Sequence, residues 1–303
     1  MPRNNAPLFS VVVANYNNDK YLDDMVQSLL LQTWTNWELI FIDDGSTDQS
    51  LSILERHAEE DKRIQIFKNE FNKGAAACLN MALEHAKGEV IGRLDSDDKL
   101  SPDAIEFMLS AHVNNQEASL ICSNAYSWKH NSETLERWPG YTNPGTTSLI
   151  FGCTVGHFAT WKKIASDSIQ PIDEALKKAV DLDLYLKLEE VGTVSFFDKP
   201  LYFYRQHDGG ISQGESGMKA NQYAIQATLA AYRRRKGTKK ANLSTKQYRI
   251  LLRTWYFREC QPLRWVHKKK CNELLMCGLL EVPSILLTRT FWSTVARNNF
   301  LKP

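Results

Sequence analysis

Val90-Ile91-Gly92, a short apolar run, passes through Arg93 and Leu94 into Asp95-Ser96-Asp97-Asp98, which packs three carboxylates into four residues. Aspartate is depleted in strand interiors and common where strands stop, so this acidic group belongs at the carboxyl end of a strand. In an open α/β sheet that edge is where ligands bind. Carboxylates held so close repel one another unless a cation or hydrogen-bond donors compensate. Hard oxygen ligands favour Mg²⁺ or Mn²⁺, and such ions bridge to phosphate oxygens. A solvated turn reads the same way, because Ser-Asp-Asp caps helices and Pro102 follows. The segment alone leaves both readings open.

The flanking chain supplies the sheet. Leu8–Ala14 reads as a buried strand and Asn15–Asp19 as the polar loop that ends it. Leu22, Met25, Val26, Leu29 and Leu30 follow helical spacing. Trp37–Ile42 is a second strand, ending in Asp43-Asp44-Gly45-Ser46-Thr47-Asp48, whose last three residues suit the cap of a helix through about Glu60. A third strand at Ile64–Phe67, a turn at Asn72-Lys73-Gly74 and a helix over Ala75–His85 lead to the acidic segment. This alternation predicts an α/β fold with a mainly parallel central sheet and helices on both faces. A glycine-rich G-x-G-x-x-G loop and a Walker-type lysine loop are both absent, which disfavours an ordinary dinucleotide site. Two strands end in carboxylates instead, giving an acidic crevice with room for a metal. Further on, the sequence predicts a helix over Pro102–Asn114 and a strand over Ala118–Tyr126. A helix over Ala179–Glu190, stopped by Gly192, and separate strands at Val194–Phe197 and Pro200–Arg205 complete the pattern.

Charge divides the chain. Residues 1–215 carry 19 Lys/Arg against 32 Asp/Glu, whereas residues 216–303 carry 18 against 3. The expected organisation is therefore a catalytic domain over 1–215 and a basic, aromatic-rich helical region over 216–303 that faces something anionic. No apolar run approaches the roughly 20 residues of a membrane-spanning helix, and the start lacks the apolar core of a secretory signal. Six cysteines without a tight metal-type pair point to reduced thiols and a cytoplasmic location.

Four ordered motifs over residues 8–212 resemble the family 2 glycosyltransferases, inverting enzymes of the GT-A fold that use nucleotide-sugar donors. They are Ser10–Asn17, Glu38–Asp48, the stretch from Asn72 through Asp98, and Asp181-Leu182-Asp183-Leu184 followed by Tyr204-Arg205-Gln206-His207. The resemblance implies that Ala14, Asn15 and Tyr16 line the nucleotide base, and that Asp44, supported by Asp43, bonds the base or ribose. The family's D-x-D motif falls on Asp95-Ser96-Asp97. Asp95 then faces ribose or metal, and Asp97 holds Mn²⁺ or Mg²⁺ on the diphosphate, where the ion stabilises the leaving charge. Asp181 aligns with the general base that takes the acceptor hydroxyl's proton. Val180 stands where the family usually has Glu, and Leu79 where many members carry Arg, a donor contact that Lys73 or Arg93 replaces in this reading. Arg205 is expected to neutralise phosphate charge and His207 to bind metal or phosphate. His157, Phe158 and Trp161 are the candidate acceptor platform.

The expected partners are a nucleotide-sugar donor, with UDP preferred, and a glycan or lipid-linked acceptor. The basic tail, with Arg233-Arg234-Arg235-Lys236 and Lys268-Lys269-Lys270 among Trp and Phe residues, fits an anionic membrane surface at the inner face of the plasma membrane. It equally fits a solvated helical appendage or a contact with another subunit. Two other classes stay open beside the transferase: a nucleotidyltransferase, which would want a basic glycine-rich loop after the first strand, and a nucleic-acid-binding protein. No nucleic acid is expected, because that reading leaves the acidic strand ends unexplained.

Overall fold

The computed structural model describes residues 6–129, 134–138, 148–151, 155–207, 215–235 and 238. Two compact units divide the chain, Met1–Ala231 and Tyr232–Pro303, and the first carries the sheet. Most of the basic tail, Lys268-Lys269-Lys270 included, lies outside the described residues. Among the described residues no helix is long and apolar enough to cross a membrane.

Strands β1 (Phe9–Asn15), β2 (Trp37–Asp43), β3 (Ile64–Lys68) and β4 (Val90–Arg93) form a parallel sheet in the order β3-β2-β1-β4. Helices α1 (Asp19–Leu30), α2 (Ser50–Glu60) and α3 (Ala75–His85) make the crossovers, as parallel neighbours require. Alternating strand residues face opposite sides. Phe9, Val11, Val13, Leu39 and Phe41 join one core with Leu22, Met25, Val26 and Leu29 of α1 and Leu54 of α2. Val12, Ile40 and Ile42 are equally buried but outside that cluster, on the face that α3 covers.

Beyond β4 the sheet becomes mixed. The two-residue strand β5 (Lys99–Leu100) and α4 (Ala104–Asn114) precede the long β6 (Ala118–Lys129), with β7 (Leu135–Arg137) on its edge. Next come β8 (Ala159–Lys162), the short α5 (Lys163–Asp167), α6 (Val180–Val191), β9 (Thr193–Gln206) and α7 (Glu215–Arg235). Strand β8 runs antiparallel to both β4 and β6, β9 lies parallel to β6, and β5 closes the order β4-β8-β6-β9-β5. The two strands expected at 194–197 and 200–205 are one strand. Pro200 is accommodated because the register against β6 shifts on either side of Asn124, at a bulge where a missing N–H breaks no regular ladder. The turn after β2 also differs from expectation. Ser46 and Thr47 fold back on the first loop, so only Asp48 meets the helix start, accepting the Ser50 N–H at 2.9 Å.

Candidate active site

The carboxyl ends of β1, β2 and β4 converge, and each delivers polar residues where its apolar run stops. At the end of β2, Asp43 and Asp44 are buried. Asp43 accepts the Asn15 side-chain amide at 3.2 Å and the Ser46 N–H at 3.1 Å. Asp44 accepts the Asn69 amide at 2.8 Å and the backbone N–H groups of Lys73 at 2.9 Å and Gly74 at 2.8 Å. A carboxylate that takes two backbone donors fixes the loop that brings them. That loop passes so close to Gly45 (φ +72°) that a Cβ there would stand 3.0 Å from the Phe71 backbone. The amide oxygens of Asn15 and Asn69 are buried without a partner among the described residues. Tyr16 and Phe71 are exposed, and Ala14 is the partly buried second-last residue of β1. Lys73 contributes its backbone to Asp44 while its ammonium lies 5.8 Å from the Phe71 ring.

At the end of β4 the three acids separate by role. Asp98 is 1% exposed; its carboxylate accepts the Tyr202 hydroxyl at 2.7 Å and the Arg205 backbone N–H at 2.7 Å. Burial, then the nearby Asp97 and Asp95, hold its pKa well above the usual carboxylate range. Asp97 is more open and meets His207 Nε2 at 2.9 Å; burial and Asp95 raise its pKa too. Asp95 accepts Arg93 at 2.6 Å, and its backbone N–H donates to the Tyr202 hydroxyl at 3.1 Å. Among the described residues no three of His, Cys, Asp and Glu already converge as a metal cage.

Asp181 lies in the first turn of α6, its side chain 43% exposed, with one oxygen accepting its own helix's Leu182 N–H at 2.9 Å. Its other oxygen is 3.7 Å from Arg93, so a single guanidinium spans Asp95 and Asp181. Burial works against charge on Arg93, but Asp95, Tyr185 and Asp181 lift its pKa well above the ordinary arginine value. His157 belongs to the same wall. It stacks on Tyr204 at 4.7 Å and on Tyr202 at 5.1 Å, and burial pushes its pKa down to about 4. An imidazole with that pKa is neutral at pH 7, a hydrogen-bonding group rather than a charge.

Burial and bonding of three groups of expected site residues differ from an open, ligand-facing placement. Arg205, expected to neutralise phosphate charge, is held by protein groups. It is 4% exposed, donates to the Asp97 carbonyl at 2.7 Å and to Asp24 at 2.8 Å, and lies between the Tyr21 and Trp128 rings. These bonds tie it to the acidic loop and to α1. Ser96 is buried and accepts the Asn18 amide at 2.8 Å, tying the first loop to the acidic one. Phe158 and Trp161 are core residues at 1% and 0% exposure, so neither offers a ring to an acceptor. Phe158 also holds φ +53°, a conformation costly for a bulky residue and kept only where surrounding packing dictates it.

This arrangement pairs a buried carboxylate pocket with an acidic loop and a separate exposed carboxylate across one arginine. The sequence pattern of Glycosyl transferase family 2 matches residues 10–166. The chain is a family 2 glycosyltransferase. It is 36% identical over 203 residues to the chondroitin synthase of Escherichia coli, which covers 65% of this chain and 28% of that one. It is 30% identical over 223 residues to glycosyltransferase GlyG of Streptococcus pneumoniae, covering 69% of this chain and 74% of that one. The chain thus spans little more than a quarter of the length of the chondroitin synthase. Among solved structures, S. aureus TarS 1-349 in complex with UDP-GlcNAc superposes with a TM-score of 0.60 at 18% identity, over 97% of this chain and 91% of that one. A mannosyltransferase from Pyrobaculum calidifontis in complex with GDP-Man and Mn²⁺ gives 0.59 at 16% identity, over 98% and 86%. The fold is therefore the GT-A fold, and the mixed second half of the sheet belongs to it.

Sequence reasoning missed Asn69, Tyr202, Asp24 and Asn18. Each acts through a partner in another element, so no local pattern marks them.

Proposed function

We propose that this glycosyltransferase moves a sugar from a nucleoside-diphosphate sugar, UDP-linked in the first instance, to a hydroxyl of a glycan or lipid-linked acceptor with inversion. The observation that carries the reading is Arg93, which meets Asp95 at 2.6 Å and Asp181 at 3.7 Å. Donor-side and base-side carboxylates thereby border one crevice, the separation that a single-displacement transfer between two substrates needs. The resemblance of the chain to chondroitin and hyaluronan synthases supports a glycan acceptor, and the UDP-GlcNAc bound by TarS supports a UDP donor.

In this reading Tyr16 and Phe71 flank the base, with Asn15, Asp43, Asp44 and Asn69 at its edge. Asp97 and His207 fit a divalent ion as oxygen and nitrogen donors, since burial leaves Asp97 short of compensating charge. Asp95 gives one oxygen to Arg93, and would join them through the other. When bound, Mn²⁺ or Mg²⁺ neutralises the charge that develops on the departing diphosphate. Asp181 accepts the proton of the attacking hydroxyl, and its exposure gives the acceptor access. His157 donates or accepts a hydrogen bond at the same wall.

A donor screen tests this: UDP-, GDP- and CMP-sugars, with Mn²⁺ or with EDTA, against short glycan and lipid-linked acceptors. Product that depends on divalent metal, and that is lost in both Asp97→Ala and Asp181→Ala, is expected. Full activity in both variants overturns the site assignment. Nucleotide transfer from an NTP instead of sugar transfer would favour the nucleotidyltransferase.

A further inference from the structure

Asp181 cannot be placed by its own contacts. Its ion pair is loose and its other bond is to its own helix. What fixes it is the segment leading into α6, and that segment is clasped from both sides. From α3, Asn80 donates its side-chain amide to the Ile172 carbonyl at 3.0 Å, and its amide oxygen accepts the Ile172 N–H at 2.8 Å. The same amide reaches Glu174 at 3.2 Å. From α6, Lys187 donates to the Pro171 carbonyl at 2.5 Å and Asp183 accepts the Asp173 N–H at 3.0 Å. Ile172 and Leu176 are both 3% exposed, so the clasped chain is anchored by packing as well.

A carboxamide offers one donor and one acceptor side by side, the pairing that a strand neighbour would give to a residue's backbone. Aspartate in its place lacks the donor and alanine lacks both. The clasp therefore calls for asparagine. Between it and Asp181 the chain turns through Ala179 at φ +56°, a left-handed conformation that a non-glycine residue keeps only when its surroundings impose it. The other end of α3 begins at the Lys73 and Gly74 amides that Asp44 holds. One helix thus touches the nucleotide crevice at its start and the base-bearing segment at Asn80.

We propose that Asn80 is a positioning residue for Asp181, setting the base relative to the nucleotide crevice through α3. This rests on the reading of Asp181 as the base. Asn80 touches no substrate in it.

The test compares Asn80→Ala, Asp181→Asn and the double variant, measuring transfer kinetics and the affinity for UDP with Mn²⁺. Asn80→Ala is expected to lower kcat by about 10–100-fold, the scale of a reacting group displaced by about an ångström. UDP affinity should stay within about twofold, because misplacing a base leaves uniform binding intact. The double variant should be no slower than Asp181→Asn alone, as expected for residues acting through one step. If Asp181→Asn keeps full activity, the reading of the base fails whatever Asn80 does. If Asp181→Asn is inactive but Asn80→Ala keeps its kcat, or loses UDP affinity in proportion, the clasp is overturned. Hydrogen exchange on the unsubstituted protein guards against a variant that fails to fold. Protected Ile172 and Asp173 amides support the clasp, and exchange of both at unprotected rates overturns it.

Discussion

The two halves of the sheet hold their functional carboxylates in opposite ways. In the parallel half Asp43 and Asp44 are buried, and the described groups that bond them lie within about thirty residues along the chain. In the mixed half Asp181 is exposed, Arg93 lies 3.7 Å from it, and the segment before its helix is bonded both by Asn80, 92 residues from Ile172, and by the nearby Asp183 and Lys187. The difference fits the roles proposed for the two groups. A pocket for a rigid planar base gains from carboxylates whose geometry is fixed before the ligand arrives. A base must meet a hydroxyl on a second substrate, so it has to be reachable, and its orientation must come from groups behind it.

Separating binding from turnover makes the widest test of that contrast. Asp181→Asn is expected to reduce transfer by about 10²–10⁴-fold while leaving UDP binding nearly unchanged. Asp44→Asn should do the reverse at first sight, weakening UDP affinity and melting earlier, because one of the two backbone donors loses its acceptor. Calorimetric titration with UDP and Mn²⁺, run beside the transfer assay, checks both. Equal losses of UDP affinity in the two variants would end the distinction between the halves.

The next effect is structural. Asp183 and Lys187 form an ion pair at 2.6 Å with side-chain exposures of 2% and 6%. Lys187→Met leaves a buried carboxylate without its cation and should cost about 3–5 kcal/mol in urea unfolding. Replacing both, as Asp183→Leu with Lys187→Met, should recover part of that loss, limited by the Asp173 amide left without an acceptor.

His112 sharpens the picture of the mixed half. The Thr160 hydroxyl donates to the Ile121 carbonyl at 3.1 Å, so its oxygen receives the His112 Nε2–H at 3.0 Å. That assigns the neutral tautomer with the proton on Nε2, and the buried Nδ1 has no partner among the described residues. Burial, then Lys162, push the His112 pKa down to about 4. The unfolded chain therefore takes up the proton first as pH falls. The stabilisation is complete above pH 6.5 and is lost as pH drops towards 4, by about 3 kcal/mol in all. Unfolding free energies across that range should lose this part of their slope in His112→Gln.

How far the sequence foretold this molecule depended on the range of each contact. The parallel strands, α3 and α6 were legible because their apolar periods are local, and the acidic strand ends because aspartate stops strands. The family motifs marked the residues proposed for the site, but not what each of them touches in the fold. Arg205 reads in sequence as an open cation, whereas it is buried and bonded to Asp24, 181 residues away. Phe158 and Trp161 looked like a sugar platform because an aromatic beside a motif reads the same whether it faces solvent or core. Separate strands were expected at 194–197 and 200–205; instead β9 carries its extra residues as a bulge around Pro200, opposite Asn124, and continues along β6.

Tyr202 is where the two halves meet, and its hydroxyl offers the smallest and most selective test. It belongs to β9 of the mixed half, yet it donates to Asp98 at 2.7 Å and accepts the Asp95 N–H at 3.1 Å in the acidic loop of the parallel half. Burial, then Asp98 and Asp95, keep its phenol protonated well past its ordinary pKa, so the donor role is secure at any working pH. Tyr202→Phe keeps the ring that stacks on His157 but leaves Asp98 one donor short and the Asp95 amide without its acceptor. The expected cost is about 1–3 kcal/mol of stability, read as an earlier urea midpoint with an unchanged slope. If the acidic loop depends on β9, Mn²⁺-dependent UDP binding should weaken in Tyr202→Phe while metal-free UDP binding at the Asp44 pocket stays the same. If both weaken together, the nucleotide pocket leans on the mixed half as much as the acidic loop does, and the division between a prebuilt and a positioned half falls.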